Sequence, residues 1–272
     1  MPLDDIRAVV FDLGNTLWFG GAHEPSKAEA DRLQADLLQP WRARCRIDPA
    51  LSLEAVCRDV WDAYEEAWRV EVERDTLRDP SIAFLARGAF AVRGIQLSEE
   101  QAAAFHRESW VGVRRFGVEL YPDTLDVMRE VRARGLLIGI NSNRPCTTAM
   151  MMADLADMGI APYVDAAVCS GETGYIKPHP STFEAIIAGL SVAPQQAVMV
   201  GDSVDVDLRP AKALGMKTVW KLNGRYGLDP AADADHAIHD LCELLTLPWF
   251  SDSAVAITES PTPHEDQNED RY

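Results

Sequence analysis

Apolar positions along this chain fall into two kinds of block. Short, β-branched apolar runs occur at Ile6–Phe11, Leu136–Ile140, Val164–Val168, Ala197–Val200 and Lys217–Trp220, each fitting a strand buried on both faces. Between the later runs, Asp123–Arg134, Thr147–Met158, Ser181–Leu190 and Ser203–Leu214 carry the three- and four-residue spacing of helices. Gly135, Gly159 and Gly215 close three of these helices just before a strand. The alternation predicts an α/β fold, a parallel sheet with helices on both faces.

From about Trp18 to Phe116 the texture changes, and the pattern predicts helices only. Ser26-x-x-Glu29 and Ser98-x-x-Gln101 read as capping boxes, and Asp79-Pro80 as a cap followed by a first-turn proline. Leu53, Val56, Val60, Tyr64, Trp68 and Val72 fall on one helical stripe. Trp41, Trp61, Trp68 and Trp110 also lie in this stretch, and their spacing assigns them to core packing. The predicted organisation is an α/β core over 1–17 and 117–250, interrupted by an all-helical insert over 18–116. The acid-rich segment 251–272 shows no sustained periodicity and is expected to be disordered.

At 272 residues the chain can bury a large core without disulfides or metals as staples. Asp and Glu number 43 against 26 Lys and Arg, a net charge of −17 that opposes binding to nucleic acid or anionic lipid. The same charge repels a phosphorylated metabolite unless a metal ion or local cations reverse the field. The 5 cysteines include no CxxC pair and read as small buried hydrophobes. The first residues carry acids rather than a basic targeting region, and no run reaches membrane-spanning length. A cytoplasmic location, with neither a membrane nor a nucleic acid as partner, is therefore expected.

Four polar segments stand where predicted strands end, the edge at which open parallel sheets bind ligands. VVFDLGNTLW puts Asp12 just beyond a strand, with Gly14, Asn15 and Thr16 able to turn backbone amides toward an anion. LLIGINSNR supplies Ser142 and Asn143, SGETGYIKPHPSTF supplies Lys177, and VMVGDSVDVDL supplies Asp202, Asp205 and Asp207. Singly, each has a bland role as a turn residue, a helix cap or a solvated charge. Together they supply a nucleophile, a hydrogen-bond donor for phosphate, a fixed cation and a metal ligand.

The ordered set resembles the haloacid dehalogenase-like hydrolase superfamily, most of whose members are magnesium-dependent phosphatases. Its four motifs correspond to Asp12–Thr16, Ser142, Lys177-Pro178 and Gly201-Asp202 to Asp207. The resemblance implies a Rossmann-like core and makes the helical insert a cap over the substrate, a small phosphorylated metabolite. It further implies that Asp12 forms an aspartyl-phosphate, with Lys177 neutralising charge. Ser142, Asn143 and Lys177 would bind the phosphoryl group. Asp12, the Gly14 carbonyl and Asp202 would hold Mg2+, with Asp207 completing the site.

Gly14 departs from the pattern, because active phosphatases of the family usually carry a second aspartate there. The departure removes general acid–base assistance worth roughly 10² to 10⁴-fold. Three readings follow: a phosphatase relying on a good leaving group, on water or on an acid near His23 and Glu24; a weakly catalytic protein that binds a phosphorylated ligand or protein partner; or a dehalogenase. The last typically has tyrosine at this position and needs no magnesium site, whereas Asp202 and Asp207 are both present.

Overall fold

The computed structural model describes residues 6–22, 25–224 and 233–251. The expected acidic tail after Ser251, and His23 and Glu24, lie outside the described residues. The core is a six-stranded sheet built on β1 (Ala8–Phe11), β4 (Leu137–Ser142), β5 (Ala166–Cys169), β6 (Ala197–Gly201), β7 (Lys217–Lys221) and β8 (His236–Ile238). Its order is β5-β4-β1-β6-β7-β8, and every pair is parallel. Side chains alternate across the pleat. Val9 and Phe11 therefore pack with Met128, Val131 and Leu155 of α6 (Thr124–Ala133) and α7 (Thr148–Asp157) on one face. Ala8 and Val10 pack with Phe183, Ile186 and Ala211 of α9 (Pro180–Leu190) and α10 (Arg209–Ala213) on the other. Strand β1 lies at the switch point between β4 and β6, so its C-terminal end opens into the ligand crevice.

The helix expected over Ser203–Leu214 is broken. A wide π-helical turn over Val204–Leu208 precedes α10, and it sets Asp207 against the end of β6. His236 lies on the edge strand β8 with its ring against Trp249 at the start of α11 (Pro248–Ser251).

The insert is not helical from its first residue. Trp18–Gly20 (β2) pairs antiparallel with Val118–Leu120 (β3), and the chain leaves and re-enters the core through this ribbon. Three-residue strands carry too little periodicity to be read from sequence. Between them lie α1 (Lys27–Leu37), α2 (Gln39–Cys45), α3 (Leu53–Glu73), α4 (Ile82–Ala91) and α5 (Glu99–Glu108), which share a hydrophobic cluster of their own. Trp41, Phe90 and Phe105 form its centre, with ring centroids 5.4 to 5.9 Å apart. Both capping boxes, at Ser26 and Ser98, are formed. Helix α4 is capped by Ser81 rather than Asp79, whose carboxylate instead accepts a 2.9 Å bond from the Tyr64 hydroxyl. Only the first half of the α3 stripe enters the core. Leu53, Val56 and Val60 are buried, whereas Trp68 is 37% and Val72 40% exposed. Of the four tryptophans assigned to packing, only Trp41 is fully buried.

Candidate active site

Asp12 follows directly from the burial of β1. Its amide continues the ladder by donating to the Val200 carbonyl, and the chain then turns so that the amides of Thr16, Leu17 and Trp18 all point at the Leu13 carbonyl. The Asp12 carboxylate is left at the sheet edge, 7% exposed, and its Oδ2 accepts the Thr16 hydroxyl at 3.4 Å. Lys177 reaches it from the loop ahead of α9. The Lys177 ammonium donates to Asp12 Oδ1 at 2.7 Å, Asp207 Oδ1 at 2.7 Å and the Asn141 carbonyl at 2.8 Å. All three ammonium protons are thereby used.

Asn143 places that lysine. Its side-chain oxygen accepts the Lys177 amide at 2.6 Å, and its nitrogen donates to the Lys177 carbonyl at 3.1 Å. Sequence spacing could not show this, since the two residues lie 34 positions apart. Ser142 ends β4, buried beside them. Asp207 is fixed at both oxygens, Oδ1 by Lys177 and Oδ2 by the Ser203 amide at 3.2 Å. It lies so close to the end of β6 that a Cβ on Gly201 would stand 2.6 Å from the Asp207 Cβ.

Oxygen atoms of Asp12, Asp202 and Asp207 lie within 4.8 Å of one another, an all-oxygen donor set suited to a hard divalent cation. Burial raises the Asp12 carboxyl to about 6 against the pull of Lys177, and the neighbouring acids Asp207 and Asp202 push the same way. Burial works against the Lys177 charge as well, but the two carboxylates outweigh it and hold the ammonium above its usual range. Gly14 is exposed, and a Cβ built on it meets nothing within 4 Å.

Further out, Arg144 is salt-bridged to Asp154 at 2.8 Å, its guanidinium 5.4 Å from the Trp18 ring and 5.2 Å from that of Trp110. Arg114 donates to the Asp157 carbonyl. His179 caps α9 and stacks on Tyr175. The insert touches the lysine loop directly: Arg78 bridges Tyr175, the Asp79 amide donates to Gly174, and the Ile176 amide donates to Leu77. Between insert and core, starting at Asn143–Pro145, opens a cavity of about 920 Å³.

Residues 6–215 match the haloacid dehalogenase-like hydrolase family. The chain belongs to that family. It is 31% identical over 250 residues to a phosphoserine phosphatase of Thermus thermophilus, covering 88% of this chain and 90% of that protein. It is 29% identical over 254 residues to a ribulose-1,5-bisphosphate 5-phosphatase of Halopiger xanaduensis, covering 88% of this chain and 98% of that one. Among solved structures, a 2-haloacid dehalogenase from Pseudomonas syringae pv. Tomato shares the fold with a TM-score of 0.58 at 22% identity, over 89% of this chain and 97% of that one. Among the described residues, no helix is long and apolar enough to cross a membrane.

Proposed function

We propose that this haloacid dehalogenase-like hydrolase is a phosphatase that cleaves a phosphomonoester through an aspartyl-phosphate on Asp12. The observation that carries this reading is the Lys177 ammonium set 2.7 Å from both Asp12 and Asp207. Lys177 thereby favours the ionised carboxylate against the burial that favours its protonated form. The relatives named above, phosphatases along nearly their whole length, support it.

In the first step an Asp12 oxygen bonds to phosphorus as the ester P–O bond breaks, and the alcohol departs with a proton taken from water. In the second, water attacks phosphorus, inorganic phosphate leaves and the Asp12 carboxylate is regenerated. Lys177 offsets the charge of Asp12 during the approach of the phosphate dianion. Asn143 keeps the lysine loop in register with β4, and Ser142, at the end of that strand, donates a hydrogen bond to the phosphoryl group. Asp12, Asp202, Asp207 and the Gly14 carbonyl would hold Mg2+, which when bound supplies positive charge beside the phosphoryl oxygens.

A carboxyl group at position 14 would normally protonate the leaving alcohol, so the site is expected to favour esters that leave easily. Turnover of an activated aryl phosphate in the presence of magnesium, abolished in a folded Asp12→Asn variant, tests the proposal. Gly14 also fits a second reading, a protein that binds phosphorylated ligands without turning them over. Absence of Asp12-dependent turnover across a broad panel of phosphomonoesters would favour that alternative.

A further inference from the structure

The cavity between insert and core is larger than a two- or three-carbon alcohol requires. At about 920 Å³ it lies near the top of the range, roughly 300–1,000 Å³, that encloses drug-sized ligands. Its wall is aromatic. Trp61, Tyr64 and Trp68 recur at spacings of three and four along α3 and so share one face of that helix, while Trp110 and Phe116 contribute from the segment returning to the core. Packing does not account for Trp68, which is 37% exposed where the stripe has already left the hydrophobic cluster of the insert.

The cations around this cavity are already paired. Lys27 bonds Asp62 and Glu65, Arg69 pairs with Glu66 and Glu73, and Arg144 with Asp154. A second phosphate or a carboxylate on the substrate would have to compete with these carboxylates. Two buried polar atoms of wall residues lack a hydrogen-bond partner, Arg144 Nε and the Oε1 of Gln34, a side chain that is 4% exposed. An orphaned acceptor of this kind is unfavourable until a donor reaches it.

We propose that this cavity binds the alcohol portion of the phosphomonoester, and that this portion is a planar aromatic ring carrying an N–H or O–H donor. The inference rests on the phosphatase reading for its orientation. Asn143, the residue after Ser142, lines the cavity, so the alcohol portion of an ester whose phosphoryl group is at Ser142 is directed toward α3. Stacking on the tryptophan faces supplies affinity, and Gln34 selects for the donor.

Naphthalen-2-ylmethyl phosphate, its 6-amino derivative and O-phosphoserine test this, because all three leave as alkoxides of similar difficulty and differ in the group offered to the cavity. The expected result is a kcat/KM at least tenfold higher for the naphthyl esters than for O-phosphoserine. Trp68→Ala should lower the naphthyl values by roughly two- to tenfold, mainly through KM and by more than it lowers that for O-phosphoserine. Gln34→Leu should remove the advantage of the amino derivative over the parent ester. Calorimetric titration of the Asp12→Asn protein with the same esters reads binding apart from turnover. Naphthyl binding weakened by adding Trp68→Ala, with no ester hydrolysed by the wild type, would sink the phosphatase reading and leave the aromatic site standing. Hydrolysis of O-phosphoserine equal to or faster than that of both naphthyl esters, insensitive to Trp68→Ala, would overturn the present inference and leave the phosphatase reading intact.

Discussion

Replacing Gly201 with alanine tests whether the fit between β6 and Asp207 controls the site. Gly201 closes a fully buried strand and does not use a left-handed backbone conformation, so alanine is admissible there except for its methyl group. That methyl would stand 2.6 Å from the Asp207 Cβ and Oδ2 and 2.7 Å from Cγ, where ordinary contacts begin near 3.4 Å. Relief therefore needs a displacement approaching 1 Å. The side chain cannot rotate away freely, since Lys177 holds one oxygen and the Ser203 amide the other, and Cβ itself is among the clashing atoms. The π-helical turn has to shift, carrying Asp207 away from Lys177.

Overpacking of this kind costs about 1–3 kcal/mol. For a domain of this size that lowers Tm by roughly 2–12 °C. A 1 Å misplacement near the chemistry costs up to about 10²-fold in rate. Differential scanning calorimetry and steady-state kinetics on an activated aryl phosphate read the two effects separately. A variant with wild-type Tm and wild-type kcat would refute both the contact and its control of the site.

Three further outcomes follow from the same geometry. Gly14→Asp, whose Cβ meets nothing within 4 Å, should fold normally and raise kcat on alkyl phosphates more than on aryl phosphates, with a ceiling of roughly 10² to 10⁴-fold; an unchanged alkyl-to-aryl ratio would count against it. Gly88→Ala, at an exposed position inside α4 with open space around it, should add about 0.5–1 kcal/mol and raise Tm by roughly 1–4 °C in thermal unfolding. Because folding raises Asp12 to about 6, its contribution to stability is fully present below the ordinary carboxylate range and lost as pH climbs through 6. In chelator, Asp12→Asn should therefore unfold later than wild type at pH 8, by about 3 kcal/mol, with the gap closing toward pH 4; a gap independent of pH would contradict this.

The parts of the site legible in the sequence are those that chain order fixes. Asp12, Ser142 and Asp202 each stand at or just beyond the end of an apolar run, and a strand buried on both faces has to deliver the next polar residue to the sheet edge. Lys177 could be placed by its proline and the helix behind it. What the sequence could not reveal depends on partners distant along the chain. Asn143 looked like a phosphate ligand, yet both ends of its amide hold the Lys177 backbone. Gly201 is defined by the carboxylate pressed against it, a contact no periodicity encodes. The sequence pattern assigns the cap of α4 to Asp79, but that carboxylate accepts the Tyr64 hydroxyl and Ser81 caps the helix. The α3 stripe gave the correct face of the helix but not the depth of its cover, so Trp68 was assigned to a core that ends before it.

The charge balance at the sheet edge explains why the reading of an acidic protein that handles phosphate is self-consistent. Three carboxylates converge within 4.8 Å, and Asp12 and Asp207 share the ammonium of Lys177. With all of them ionised, these three carboxylates and one ammonium together carry a charge of −2. The upward shift of Asp12 expresses that deficit, since burial and the two neighbouring acids together outweigh the pull of Lys177. Protonating Asp12 would relieve the deficit only in part and would remove the nucleophile. A divalent cation held there would cancel that charge and leave Asp12 ionised, so the acidity that repels a phosphate dianion from the free protein would also recruit the charge needed to admit it.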